Sequence, residues 1–228
     1  MQLKQDIKGF TILELLVVVV IIAVVSAVGY PNFLEWRKDR EIRAAAEKVA
    51  SMLTGISTQA QRGAYPFVQF EVTPSTGSVQ FNSKGMLQDT MNSKLNQSNI
   101  KILDCKIANS GYWDNDTVDT YTKEVGVHIG TSSADNGAVC FSKDGSFFGE
   151  KNRLNDSTNS NQINLNLEGR NTNNYLIICP ASSSGGGSMS VGGGSGSCGS
   201  LKPQYLVEWS RFGNIKKFKW SGSAWTRQ

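Results

Sequence analysis

The clearest pattern along the chain is an apolar run near its start. From Phe10 to Tyr30 the sequence reads FTILELLVVVVIIAVVSAVGY, and Glu14 is the only charged residue in it. The run matches the ~20 residues that a helix needs to cross a bilayer. A carboxylate at membrane depth costs roughly 2–4 kcal/mol on insertion scales. The pattern therefore predicts one membrane span and a functional role for Glu14, which needs a partner.

A second pattern, with helical spacing, follows between residues 32 and 62. Apolar residues recur there three and four positions apart: Ile42, Ala45, Ala46, Val49, Met52, Leu53, Ile56 and Ala60. The spacing predicts one apolar face of an amphipathic helix. We expect this face to pack on a β-rich domain formed by the rest of the chain.

The two stretches predict one long helix from Phe10 to about Arg62. Gly63 favours an end there. Gly29 and Pro31 predict a kink between the halves, because proline removes a backbone hydrogen bond and crowds the preceding turn.

Beyond Tyr65 the apolar period changes to two, which predicts strands. Val68, Phe70 and Val72 alternate with polar residues, a Pro-Ser-Thr-Gly turn follows, and the alternation resumes at Val79. This pattern predicts a β-hairpin. Further strands are predicted at Ile100–Ile107, Val125–Ile129, Ala138–Phe141, Phe147–Phe148, Ile163–Leu167 and Tyr175–Cys179.

The last regular unit is a second predicted hairpin, which pairs Gln204–Ser210 with Ile215–Trp220. Polar composition predicts loops at Met86–Asn99 and Asn152–Asn161, and a Gly/Ser-rich loop at Ser182–Ser200. One long helix followed by many short strands predicts an α+β fold built on antiparallel sheet.

Composition narrows the class of protein. Only 39% of the 228 residues are hydrophobic, which is too few for several membrane spans. The net charge of +4 is mild and does not by itself argue for nucleic acid.

All four cysteines lie beyond the apolar run, which suggests an oxidising compartment and up to two disulfides. Cys179 and Cys198 flank the Gly/Ser-rich loop, so we expect them to pair and to leave Cys105 with Cys140. Reduced, buried thiols are the alternative.

The N-terminal segment Lys8-Gly9-Phe10-Thr11-Ile12-Leu13-Glu14 resembles the class III signal of type IV pilins and type II secretion pseudopilins. The resemblance implies cleavage after Gly9 by a prepilin peptidase and N-methylation of Phe10. It also places Glu14 at the fifth mature position. The element order, and the phrase Cys140-Phe141-Ser142-Lys143-Asp144-Gly145-Ser146, resemble minor pilins of the GspH, FimT and FimU type.

A pilin fold with four segments is implied by this resemblance. They are a leader at 1–9, a transmembrane and filament-core helix half at 10–31, an amphipathic helix half at 32–63 and an extracytoplasmic β-rich globular domain at 64–228. The implied location is the inner membrane, with a single span, a cytoplasmic N-terminus and a periplasmic C-terminus, and later a pilus or pseudopilus filament. The implied partners are the membrane, other pilins or pseudopilins, the prepilin peptidase and the inner-membrane assembly platform.

The predicted partner of Glu14 is the new α-amine of Phe10, which cleavage after Gly9 would create. The two groups lie about one helical turn apart. They could pair within one chain, or Glu14 could meet the Phe10 amine of a neighbouring subunit, as the resemblance implies. Since buried charges are tolerated only in pairs, such a pair would select one docking register.

The C-terminal hairpin is the second candidate binding site. Arg211, Lys216, Lys217, Lys219 and Arg227 alternate there with aromatic residues, and such a surface can bind single-stranded DNA. Some FimT-like pilins act in DNA uptake through a basic C-terminal region. The alternative is a structural hairpin with its lysines in water.

No enzyme and no cofactor are predicted. His128 is the only histidine, its neighbours are apolar, and we expect it to be structural. The sequence thus predicts a structural filament subunit, a minor pilin of a type IV pilus. The alternatives are a type II secretion pseudopilin, a DNA-binding or adhesive module on a pilus, and an anchored periplasmic protein that is never processed.

Overall fold

The structure is a computed structural model. It describes residues 9, 11–75, 78–97, 105, 113, 119–130, 137–143, 165–172, 174–181, 198, 201–210 and 212–228. Among these residues, the side chains at 28, 29, 31, 94, 95, 97, 166 and 171 are not described. The chain divides into two compact units, Met1–Arg40 and Glu41–Gln228.

Helix α1 runs from Ile12 to Arg62 and ends where the sequence predicted. Gly63 adopts a left-handed conformation, with φ of 78°. The Gly63 N–H donates to the carbonyl of Ala60 and the Ala64 N–H to that of Gln59, both at 3.0 Å. This pair of bonds is a Schellman motif, which satisfies carbonyls at the helix end.

Among the described residues, no single helix is both long and apolar enough to cross a membrane. The required length and apolar character are reached only when two stretches are taken together across a bend. These stretches are Ile12–Ala27 and Asn32–Arg62.

Eleven described strands form antiparallel sheets after α1. Their bounds are β1 Phe67–Ser75, β2 Ser78–Met86, β3 Asp119–Lys123, β4 Val125–Ile129, β5 Gly137–Ser142, β6 Leu165–Leu167, β7 Arg170–Thr172, β8 Tyr175–Pro180, β9 Tyr205–Trp209, β10 Ile215–Trp220 and β11 Trp225–Arg227. A four-stranded sheet has the order β3-β2-β1-β5, a five-stranded sheet has the order β11-β10-β9-β8-β4, and β6 pairs with β7. The α+β class and both predicted hairpins, β1–β2 and β9–β10, are confirmed.

The main core lies in the Glu41–Gln228 unit, where the predicted apolar face of α1 is buried against both larger sheets. The buried members from the helix are Ile42, Ala45, Ala46, Val49, Ala50, Met52, Leu53, Ile56 and Ala60. Alternate residues of the strands meet this face, for example Phe70 of β1 and Leu176 of β8. The helical spacing of the sequence therefore corresponds to real packing.

The opposite face of each larger sheet carries its own smaller cluster. On the four-stranded sheet the cluster consists of Phe67, Met86, Cys105, Trp113, Ala138 and Cys140. On the five-stranded sheet it consists of Leu167, Tyr175, Ile177, Cys179, Cys198, Leu206 and Phe218. We call them the first and second outer clusters.

Each outer cluster contains one disulfide. Cys105 is bonded to Cys140 and Cys179 to Cys198, with Cα–Cα distances of 6.0 Å in both pairs. The pairing expected from the sequence is therefore confirmed, and the alternative of reduced thiols is wrong. Each disulfide joins a sheet strand to a cysteine outside the larger sheets, which helps to cover the outer face.

The prediction of a loop over Met86–Asn99 is wrong, because helix α2 occupies Gln88–Gln97. Its sequence, QDTMNSKLNQ, is almost entirely polar and gives a weak apolar period. The helix gains tertiary support from Met91, which packs against the first outer cluster. The Gln88 amide also donates to Asn92 Oδ1 at 3.0 Å, one helical turn away.

Strands β3, β7 and β11 were not predicted from the sequence. The predicted strand Phe147–Phe148 and the predicted loop Asn152–Asn161 lie outside the described residues. The predicted strand Ile100–Ile107 also lies outside them, apart from Cys105. The same is true of the predicted loop Ser182–Ser200, apart from Cys198.

Candidate processing and docking site

The start of α1 is fixed by Thr11. The backbone N–H of Glu14 donates to Thr11 Oγ1 at 3.2 Å, and the N–H of Leu15 donates to the Thr11 carbonyl at 3.1 Å. Threonine is a favoured N-cap because its hydroxyl accepts from an N–H that has no partner within the helix. The helix therefore begins at Ile12, two residues after the Phe10 that cleavage would make the new N-terminus.

Gly9 precedes this cap and is exposed. A Cβ built on Gly9 meets no atom within 4 Å. Since the described residues of this chain impose no need for glycine here, a requirement for glycine would come from a partner such as a peptidase. Phe10, the predicted site of cleavage and N-methylation, lies outside the described residues.

Glu14 lies exposed in the first turn of α1. A carboxylate there interacts favourably with the positive end of the helix dipole. In the sequence it follows Phe10 by four residues. The predicted pairing of Phe10 with Glu14, and the predicted kink at Gly29 and Pro31, stay predictions.

The helix surface around Glu14 is apolar and uncovered. The large exposed apolar side chains of this half are Ile12, Leu13, Leu15, Leu16, Val17, Val18, Val19, Val20, Ile21, Ile22, Val24 and Val25. Contiguous apolar patches of this extent mark surfaces that bind protein or membrane. This half of α1 is therefore an interaction surface.

The N-terminal segment matches a known family model, described as the prokaryotic N-terminal methylation motif, over residues 4–30. The match covers the N-terminal segment alone, and this motif indicates processing of the kind found in type IV pilins and pseudopilins. Proteins of this class are processed by prepilin peptidase and assemble with other pilins. Neither a curated protein nor a solved structure matches the chain.

The basic residues of the C-terminal strands are partly neutralised. Lys216 Nζ lies 2.9 Å from Glu168 Oε2, and Arg227 Nη1 lies 3.8 Å from Glu168 Oε1. The Lys219 ammonium lies 5.5 Å from the centroid of the Tyr205 ring. Arg211 lies outside the described residues, and Lys217 is half-buried on β10.

Glu168 was not singled out by sequence reasoning. It occupies the tight turn between β6 and β7 with φ of 51°, followed by Gly169 with φ of 78°. The hydrogen bond from Lys216, with added attraction from Arg227 and Arg170, holds the pKa of the Glu168 carboxyl below its usual value. The local signal was a lone glycine directly after the predicted strand Ile163–Leu167. That signal predicts a turn but not the cations that gather on the glutamate.

Two aromatic residues of this region pack in or against a core, whereas Phe212 is exposed. Phe218 is fully buried in the second outer cluster, and Trp225 packs against that cluster. Trp220 and Trp225 face each other across β10 and β11 with ring centroids 5.2 Å apart. Ile215 points to the main core instead. Ion pairing and packing account for part of this hairpin, and the possible DNA contact stays a prediction.

His128 is buried on β4 beside Tyr175, with ring centroids 6.3 Å apart. Its Nε2 has no hydrogen-bond partner among the described residues. Burial lowers the pKa of His128, because a charged imidazolium loses hydration there. This environment fits the structural role expected from the sequence.

Proposed function

We propose that this protein is a structural, non-enzymatic subunit of a type IV pilus, a minor pilin. It is cleaved after Gly9 and enters the filament through the first half of α1. One observation carries the proposal. The Glu41–Gln228 unit buries its own hydrophobic cores. The apolar side chains from Ile12 to Val25, which follow the leader motif directly, are exposed.

Before assembly, this apolar half lies in the inner membrane, with residues 1–9 in the cytoplasm and the β-rich domain in the periplasm. During assembly, the same half exchanges lipid for the helices of neighbouring pilins. Glu14 then pairs with the Phe10 amine of a neighbour. A register that leaves either charge unpaired in an apolar surrounding is rejected, since an unpaired buried ion costs several kcal/mol.

The test is intact-mass analysis of the protein from cells with and without a prepilin peptidase. We expect the peptidase to remove the first nine residues and leave one added methyl group on Phe10. Gly9→Val should block cleavage while leaving the fold intact, because the site around Gly9 is open. A wild-type protein that keeps Met1 in the presence of an active peptidase would refute the proposal.

The second step, assembly, is tested in sheared filaments. We expect the cleaved protein to appear in the filament fraction, and the Gly9→Val variant to remain in the membrane fraction. Recovery of both in filaments would show that cleavage is not needed for assembly.

A further inference from the structure

Three aromatic residues lie along one side of α1 in the Met1–Arg40 unit. Tyr30, Phe33 and Trp36 follow one another at intervals of three, and their exposed fractions are 65%, 54% and 52%. The Phe33 and Trp36 ring centroids lie 5.8 Å apart, so these two rings form one surface. The Arg40 guanidinium carbon lies 4.9 Å from the centroid of the Trp36 ring. We call Tyr30, Phe33, Trp36 and Arg40 the aromatic strip.

The strip lies at a sharp change in composition. Residues 15–34 contain no charged side chain, whereas residues 35–40 read Glu-Trp-Arg-Lys-Asp-Arg. The rings thus begin in the uncharged stretch and end among charges. An aromatic ring with a cation on its face has an apolar body and a polar end, which suits the boundary between hydrocarbon and water.

Helix length places the strip at the right depth. Ile12 and Tyr30 are 18 residues apart in the sequence, or about 27 Å at 1.5 Å per residue. The hydrocarbon core of a bilayer is about 30 Å thick. With Ile12 at one boundary, Tyr30 lies near the other. The further six residues to Trp36 add about 9 Å, comparable to the headgroup layer of roughly 5–8 Å.

We propose that the aromatic strip binds the phospholipid headgroup layer on the periplasmic side of the membrane. Tyr and Trp are favoured at membrane–water interfaces, where the ring contacts lipid and the polar atoms stay hydrated. Arg40 lies about one turn beyond Trp36 and extends toward the lipid phosphates. The inference rests on the proposed membrane-anchored state and adds the residues that fix its depth.

Fixing this end of the helix also sets the depth of Glu14. Trp36 and Glu14 are 22 residues apart, a path of at most about 33 Å along the helix, which the bend between Ala27 and Asn32 shortens along the membrane normal. The strip therefore holds Glu14 near the cytoplasmic boundary, where its carboxylate can stay hydrated before assembly. Loss of the strip lets the helix move along the membrane normal.

The test uses the full-length protein in phospholipid vesicles whose acyl chains carry bromine either near the headgroup or near the terminal methyl. Bromine quenches tryptophan fluorescence at short range. The chain has five tryptophans, and only Trp36 lies before the Glu41–Gln228 unit. The matched control is Trp36→Phe, which keeps an aromatic ring but removes this fluorophore. Because Trp36 is half exposed, this change should not disturb the fold.

We expect bromine near the headgroup to quench the tryptophan fluorescence of the wild-type protein more than bromine near the terminal methyl. Trp36→Phe should lose this difference in quenching. Flotation of the vesicles separates the two hypotheses. A chain that floats but shows equal quenching in wild type and Trp36→Phe refutes the aromatic strip alone. The same holds for stronger quenching by methyl-side bromine. A chain that does not float refutes the membrane-anchored state and the strip together.

Discussion

The side-chain amide nitrogen of Gln61 lies 2.7 Å from the backbone carbonyl oxygen of Phe212 and donates a hydrogen bond to it. This bond attaches the turn between β9 and β10 to the last turns of α1. Gly213, the next residue of that turn, has φ of 75°. A Cβ built on it would lie 2.6 Å from the Cβ of Ser57. The close approach of turn and helix therefore requires glycine.

Gly213→Ala should lower the free energy of unfolding by more than the conformational cost alone. A left-handed conformation costs a non-glycine residue roughly 1–2 kcal/mol. The clash with Ser57 should add to that cost. The added Cβ and the Ser57 Cβ are each attached directly to the backbone, so neither can rotate away. Urea unfolding of the full-length protein in detergent measures the change.

Gly169→Ala is the matched control for this prediction. Gly169 has φ of 78°, but a Cβ there meets nothing within 4 Å. This variant therefore reports the conformational cost without the clash. Equal losses of stability in the two variants would show that the turn can move away from Ser57 freely.

Acid should destabilise the folded protein through His128. Its folded pKa is lowered from the ordinary 6.5 by burial, so in acid the unfolded chain binds a proton that the folded chain resists. Stability is then fully present above pH 6.5 and is lost as pH falls from 6.5 toward the folded pKa. Unfolding free energies measured across this range should decrease toward low pH.

His128→Phe should flatten that dependence, because phenylalanine keeps a ring beside Tyr175 but binds no proton. His128 is the only histidine in the chain, so no other side chain has an ordinary pKa near 6.5. The comparison is between the slopes of unfolding free energy against pH in the two proteins, rather than between their absolute stabilities. An unchanged slope in His128→Phe would assign the pH dependence to other groups.

Each disulfide should contribute stability mainly by restricting the unfolded chain. The sequence separations are 35 residues for Cys105–Cys140 and 19 for Cys179–Cys198. Chain-entropy estimates give about 3 kcal/mol for a loop near the shorter length, and about 0.5 kcal/mol more for the longer one. The contribution of each disulfide is measured as the loss of unfolding free energy in the double Cys→Ala variant of that pair, with both variants unfolded under identical conditions. A much larger loss for Cys179–Cys198 would show that native packing, rather than loop length, dominates.

The elements that the sequence predicted well have strong local signals. The end of α1 coincides with Gly63, which adopts a left-handed conformation. That conformation depends on the glycine itself and not on distant partners. The β1–β2 hairpin follows from alternating Val68, Phe70 and Val72, which all face the main core.

The elements that the sequence missed depend on distant partners. Helix α2 has too few apolar residues for a periodic signal and is supported through Met91. The ion pairs of Glu168 likewise join strands far apart in sequence. A single-sequence pattern contains none of these contacts.

At the docking site, sequence supplied nearly all of the prediction. The leader motif names Gly9, Phe10 and Glu14, and the structure adds the Thr11 cap and the exposed apolar surface. The partner that would cover this surface is another chain or the membrane, so its contacts lie outside a single folded subunit.

Glu14→Ala and Glu14→Gln should separate the charge of Glu14 from its shape. Both variants should be cleaved normally, because Glu14 lies beyond Gly9 and its side chain is exposed. Both should enter filaments of wild-type neighbours poorly, since each leaves a Phe10 amine buried without its anion, at a cost of about 3–5 kcal/mol. Intact mass reports the cleavage, and the variant fraction in sheared filaments reports docking. If Glu14→Gln is incorporated like the wild type while Glu14→Ala is not, the side chain acts through packing or hydrogen bonding, and charge pairing with Phe10 is excluded.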